Sequence, residues 1–171
     1  ARTLGFDNIN MDLIVGLPGE GQPEVEHTMR EITALDPDSI TVHSLAVKRA
    51  SRLRMFRDEY REMTFTNNRM IMDMAASYAM RAGQSPYYLY RQKNMAGNFE
   101  NVGYSKEGKA GIYNILIMEE VQSILALGAG ASTKLVLAND RIERIENVKD
   151  IRSYIDRIDE MIERKRTGIH A

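Results

Sequence analysis

The chain has 171 residues, 43% of them hydrophobic, with 23 Lys and Arg against 24 Asp and Glu; it can bury a real core, and no global charge field points to nucleic acid or an acidic membrane surface. Cysteine is absent, which excludes disulfides, thiol catalysis and any cysteine-ligated metal or iron–sulfur centre built from this chain alone. No apolar run approaches the roughly 20 residues that span a bilayer, and the N-terminus lacks a signal peptide's charged and apolar regions, so the expected compartment is the cytoplasm.

The first element is a strand from Ile9 to Val15. Side chains alternate along a strand, so Ile9, Met11, Leu13 and Val15 share one face and Asn10, Asp12 and Ile14 the other. Asp12 thus falls mid-strand among apolar neighbours. Gly16, Gly19 and Gly21 around Pro18 end the strand sharply, and Pro23 suits the first turn of a helix running from about Pro23 to Leu35. Its inner side carries Val25, Met29 and Ile32, joined by His27 or Thr28. Asp36-Pro37 stops it. A second strand, Ser39 to Ala46, completes a right-handed parallel βαβ unit.

From Val47 to Tyr60 the chain turns basic (Lys48, Arg49, Arg52, Arg54, Arg57). This set is either a solvated surface segment or a match for a substrate with several carboxylates, because Arg makes paired hydrogen bonds to carboxylate. A helix is expected over 66–82, capped by Thr66 or Asn67 and ended by Gly83; its methionines (Met70, Met72, Met74, Met80) are core filling. Pro86 to Gln92 is a strand of aromatics, and Lys93 to Gly111, rich in Gly and Asn, is a loop long enough to suspect function. After the apolar run Ile112–Met118, a helical turn at Glu119–Gln122 and a strand at Ser123–Leu127 are expected. The segment Gly128 to Ser132 allows close backbone approach to a ligand or to a neighbouring strand. Thr133–Leu137 and Arg141–Ile145 form a hairpin around Ala138-Asn139-Asp140. A helix at 148–165, capped by Asn147, buries a stripe of Ile151, Tyr154, Ile155, Ile158, Met161 and Ile162.

The fold class is α/β grading to α+β, divided near Val47 to Thr64 into residues 1–50 and 51–171, with the strands of the second part lying within 86–145. Asp12 is the leading chemical candidate, because strand C-terminal ends in parallel α/β sheets face the ligand side; the alternative is an acid satisfied by backbone N–H groups. The Gly16-x-x-Gly19-x-Gly21 spacing lacks both the ending of a P-loop and the order of a dinucleotide fold. His27, His43 and His170 show no ligand spacing, so no metal site is expected and His43 reads as a core or sheet histidine.

Asn10-Met-Asp-Leu-Ile-Val-Gly-Leu-Pro-Gly19, Glu26-His-Thr28, and Leu35-Asp-Pro-Asp-Ser-Ile-Thr-Val42 with Ala46 resemble the fifth and sixth strands of the radical S-adenosylmethionine (SAM) barrel of oxygen-independent coproporphyrinogen III oxidases. Tyr87 to Tyr104 and Leu127-Gly-Ala-Gly-Ala-Ser132 resemble the C-terminal region of the same family. The resemblance implies the last two βα strands of a partial TIM-type barrel followed by a mixed α+β region. It also implies that Asp12 bonds the SAM ribose, that Ala46 meets the adenine through its backbone, and that Gly16, Leu17, Pro18 and Gly19 line the cofactor's edge. Asn98-Phe99-Glu100 corresponds to a substrate-side Asn-Phe-Gln segment, with Glu100 in place of Gln and two residues before Gly103-Tyr104. Phe99 and Glu100, with Arg49 and Arg52, are the implied porphyrinogen contacts. The family's Cys-x-x-x-Cys-x-x-Cys motif and first four barrel strands are absent. The implied partner is therefore the N-terminal barrel of a longer polypeptide, which would hold the [4Fe–4S] cluster. The parent would convert coproporphyrinogen propionates to vinyls by oxidative decarboxylation, and this chain alone is expected to be inactive. The competing readings are a heme-handling or regulatory relative without oxidase activity and a stand-alone α+β binding module.

Overall fold

The computed structural model describes residues 1–46, 52–55, 57–60, 66–91 and 99–169. They form two compact units, Ala1–Ile112 and Tyr113–Ala171.

The first unit is built on a four-stranded sheet in the order β1 (Asn10–Val15), β2 (Ser39–Ser44), β4 (Asn101–Ser105), β3 (Ser85–Tyr90). The strands β1 and β2 are parallel, with Asp12 opposite Thr41 and Ile14 opposite His43. They are joined by helix α1 (Gln22–Ala34), as the βαβ pattern requires. β4 then runs antiparallel to both β2 and β3. One face of the sheet carries Leu13, Val15, Ile40, Val42 and Tyr104, packed against Val25 and Met29 of α1 and Ile71, Ala75 and Ala79 of α3 (Arg69–Arg81). This is the core. Each of these helices buries the residues three and four apart that share one side of a 3.6-residue period.

Several sequence expectations need correction here. The expected division near residues 47–64 is displaced to Ile112, because α3, β3 and β4 complete the sheet begun by β1 and β2. The expected loop from Lys93 to Gly111 contains β4. The helix expected over 66–82 starts at Arg69, and its cap is Asn68, whose Oδ1 accepts the Ile71 N–H at 3.0 Å. Asn67 is engaged elsewhere, donating from Nδ2 to Ser44 Oγ at 3.0 Å. Of the two residues offered for the inner side of α1, Thr28 is half-buried and His27 is exposed. A four-residue helix, α2 (Arg52–Met55), lies in the basic segment.

Helix α4 (Ile112–Met118) starts at the last residue of the first unit and otherwise belongs to the second, inside the region where strands were expected. The strand expected at Ser123–Leu127 is reduced to a single bridge between Ile124 and Lys134. The hairpin is present as β5 (Ser132–Val136) and β6 (Ile142–Glu146), turned by Asn139 in the left-handed region at φ 61°. The single helix expected at 148–165 is two, α5 (Ile151–Asp156) and α6 (Ile158–Ile169), broken at Arg157. Asp150 caps α5 by accepting the Ser153 N–H at 2.9 Å. Asn147, the expected cap, is buried instead; it donates to the Gly128 carbonyl at 2.7 Å and accepts from Lys165 Nζ. The expected apolar stripe is mostly outward, with Ile151 68% and Ile155 63% exposed, while Met161 and Lys165 point inward.

Candidate functional site

Among the described residues, the second face of the four-stranded sheet carries no helix-packed core residues, and it is mostly polar. Strand alternation puts Asn10, Asp12 and Ile14 of β1 there, beside Ser39, Thr41 and His43 of β2 and Asn101, Gly103 and Ser105 of β4. The irregularity at Pro86/Tyr88 re-aims β3, pairing Tyr88 with Gly103 and Tyr90 with Asn101. Gly103 is required by this arrangement. A Cβ at that position would lie 2.0 Å from Cε1 of Tyr88, so the phenol ring occupies the space over the glycine. The rings of Tyr88 and Tyr90 lie parallel, with an interplanar angle of 6° and centroids 6.2 Å apart.

Hydrogen bonds run along and across the strands of this face. Asn10 Nδ2 donates to Asp12 Oδ1 at 2.6 Å, while Ser39 Oγ donates to Asn10 Oδ1 at 2.9 Å. Tyr88 Oη donates to Thr41 Oγ1 at 3.4 Å. Burial pushes the Tyr88 phenol above its ordinary pKa, against the effect of that hydrogen bond, so it stays a neutral donor. Tyr90 Oη and His43 Nδ1 are 3.1 Å apart, and His43 Nε2 lies 3.8 Å from Asp12 Oδ1. Asn101 Oδ1, fully buried, accepts the Ser44 N–H at 2.8 Å and so fixes the end of β2.

A cavity of about 370 Å³ opens at the C-terminal ends of β1 and β2, lined by Asp12, Ile14, His43, Ser44, Leu45, Ala46 and Asn101. Asp12 and Ala46, far apart in sequence, thus share one cavity. The Asp12 side chain is 63% exposed rather than buried among its apolar neighbours, because those neighbours point to the opposite face. Gly16 (φ 85°) and Gly19 (φ 77°) turn the chain beyond β1 in the left-handed region, with Leu17 and Pro18 between them. Glu24 Oε2 accepts the Gly21 N–H at 2.8 Å, which closes the entry to α1 and holds the Glu24 carboxyl below its usual range.

Phe99 and Glu100 are placed elsewhere. They line a second cavity of about 340 Å³ with Arg69, Met72, Asp73, Ala76, Val102 and Tyr104, beside α3. Glu100 is paired with Arg91 at 2.7 Å. Arg49 lies outside the described residues, as does the side chain of Arg52. The sequence expectations gave Asn10, His43, Tyr90 and Asn101 no role in a site, and His43 reads there as a core or sheet histidine. The one signal in the sequence was the alternation that puts His43 on the same face as Thr41. Among the described residues no group of three His, Asp or Glu side chains could hold a metal ion, and no helix is long and apolar enough to cross a membrane.

No family model matches the chain. It is 45% identical over 166 residues to the oxygen-independent coproporphyrinogen-III oxidase-like protein HemZ of Bacillus subtilis (strain 168), covering 96% of this chain and 33% of that protein. Over 48 residues it is 42% identical to the heme chaperone HemW of the same organism, covering 28% of this chain and 13% of HemW. The solved structure of coproporphyrinogen III oxidase (HemN) from Escherichia coli, a radical SAM enzyme, matches with a TM-score of 0.58 at 16% identity, over 94% of this chain and 36% of that one. At that identity the likeness is one of fold. The chain spans about a third of the length of the relatives it matches over nearly all its own residues. Its identity with the first makes it a homologue of part of a protein of the oxygen-independent coproporphyrinogen III oxidase family, and the last shows the likeness in fold.

Proposed function

We propose that the chain is the C-terminal portion of a radical SAM protein of this family, and that the polar sheet face is its half of the SAM site. The observation that carries the proposal is the single cavity holding Asp12 and Ala46 in a chain 45% identical to the HemZ relative. In this reading Asp12 accepts a hydrogen bond from the ribose, the backbone at Ala46 meets the adenine, and the turn from Gly16 through Leu17 and Pro18 to Gly19 borders the ligand. The donor set fits: an exposed carboxylate beside apolar Ile14, Leu45 and Ala46 offers a hydroxyl acceptor next to a surface for a base. It does not fit the [4Fe–4S] cluster, because the chain has no cysteine. The cluster ligands would come from the N-terminal barrel of the same polypeptide. SAM and cluster together supply the radical chemistry when bound, and this chain supplies orientation and exclusion of water. Phe99 and Glu100 would meet the porphyrinogen from their own cavity, and Arg49 and Arg52 would pair with its carboxylates. The whole protein would act in the cytoplasm on coproporphyrinogen, turning propionates into vinyls. The 42% identity over 48 residues with the heme chaperone favours a second reading, in which the whole protein handles heme without oxidising porphyrinogen.

The test is a chimera in which this chain replaces the corresponding third of HemZ, reconstituted anaerobically with iron and sulfide. Labelled SAM should be retained, and Asp12→Asn should weaken retention about tenfold or more, the worth of a hydrogen bond to a charged group. Retention unaffected by Asp12→Asn would overturn the site. Product masses after incubation with coproporphyrinogen III separate the two functions: loss of carbon dioxide supports the oxidase, and heme transfer without it supports the second reading.

A further inference from the structure

We infer that His43 and Tyr90 are positioning residues for Asp12, which they and Asn10 orient so that Oδ1 is engaged by the protein and Oδ2 is left as the acceptor for a ligand hydroxyl. The inference deepens the reading of this face as a SAM half-site, and rests on it for the identity of the ligand.

Side chains of two strands meet at one carboxylate oxygen, and a residue of a third backs one of them. Asn10 Nδ2 donates to Asp12 Oδ1 at 2.6 Å, and His43 Nε2 faces the same oxygen at 3.8 Å, beyond direct hydrogen-bond distance but within reach of the carboxylate's charge. An ionised carboxylate only accepts, so the imidazole nitrogen turned toward it carries the proton. The other nitrogen, Nδ1, is then the acceptor, and Tyr90 Oη at 3.1 Å is its donor. The proton order is therefore Tyr90 O–H to His43 Nδ1, and His43 Nε2–H toward Asp12. The order depends on the sheet topology. His43 is on β2, Asp12 on its parallel neighbour β1, and Tyr90 reaches across β4 from β3. His43 is half-buried and meets the Tyr90 ring edge-on at 68°, which further limits its rotation. The hydrogen bond and the close contact of Asp12 both use Oδ1, leaving Oδ2 without a hydrogen-bond partner among the described residues, and Asp12 lines the 370 Å³ cavity. A neutral hydroxyl donor suits it, as in a sugar diol, whereas an anionic group at that position would be repelled.

Nitrogen-15 spectra of the imidazoles test this in the chain itself, without ligand. With His27 and His170 changed to Gln, His43 should show the Nε2–H tautomer at about pH 8.5, where an ordinary imidazole is neutral. Tyr90→Phe should shift the Nδ1 resonance and let the two tautomers mix. Tyr88→Phe, on the same strand and face, should leave it unchanged and controls for damage to β3. In the chimera, Tyr90→Phe should weaken retention of S-adenosylhomocysteine about 3- to 10-fold, and His43→Gln should recover part of what His43→Phe loses. An Nδ1–H tautomer, or an Nδ1 resonance indifferent to Tyr90→Phe, overturns the inference. Failure of the unmutated chimera to bind, with the tautomer as expected, overturns the SAM reading and leaves the positioning network standing.

Discussion

The two faces of the four-stranded sheet are made by the same strands and do opposite work. On one, Leu13, Val15, Ile40, Val42 and Tyr104 are sealed by α1 and α3. On the other, Asn10, Asp12, Thr41 and His43 alternate with those same residues: Thr41 donates across to Asn10, Asn10 donates along β1 to Asp12, and His43 faces Asp12 from the next strand. A period of two separates stability from recognition, and one register keeps both in place: a slip of one residue would put Asp12 in the core and Leu13 in the cavity. The apolar face can therefore be judged by stability, and the polar face by what it binds.

The largest effect should come from the apolar face. Met29 is fully buried between α1 and the sheet, and Met29→Ala should lower the unfolding free energy by about 2–5 kcal/mol in a urea titration. A loss under about 1 kcal/mol would mean that this face does not carry the fold. Gly103→Ala should come next, at about 1–3 kcal/mol. The added methyl would fall 2.0 Å from the Tyr88 ring, which must then leave its place above the sheet and its Thr41 partner. A double-mutant cycle with Tyr88→Ala should recover most of that cost, since the clash needs both residues. If the cost persists without the ring, the glycine is serving the backbone of β4 rather than the polar face.

How much of this was legible in the sequence differs by element. For β1, α1 and β2 the apolar period was strong enough that boundaries moved by no more than two residues, and the same alternation put Asp12 on the face opposite Leu13. For β4 it failed, because Asn101, Gly103 and Ser105 supply no apolar signal; they are buried by pairing on both sides and by the Tyr88 ring, none of it local. The run Ile112–Met118 is too short for periodicity to separate helix from strand. The C-terminal helix failed at Arg157, whose guanidinium is fixed by Glu160 at 2.7 and 2.8 Å in the next turn, while Lys165 displaces an isoleucine stripe from the interior by pairing with Asn147. His43 looked like an ordinary sheet histidine. Its link to Tyr90 depends on β4 standing between their strands, which no local pattern states.

Two aspartates give the smallest but most discriminating contrast. Asp12 is open on the polar face, whereas Asp38 is buried at the start of β2, accepting the Ile9 N–H at 2.8 Å and paired with Arg2 at 2.7 Å. Burial alone would raise the Asp38 carboxyl, but the Ile9 N–H and Arg2 outweigh it and hold the group below its ordinary value of 3.8. A depressed folded-state pKa gives stabilisation that is complete above the unfolded value and is lost as pH falls through the folded one. Asp38→Asn should therefore cost about 1 kcal/mol near neutrality and flatten the acid limb of the stability curve below about pH 4. Asp12→Asn should stay within about 0.5 kcal/mol near neutrality while weakening ligand retention. Thermal melts of both variants from pH 7 down to about pH 3 make the comparison; equal losses near neutrality would show that the polar face carries stability after all, because an exposed acid whose removal destabilises the sheet is holding structure and not waiting for a ligand.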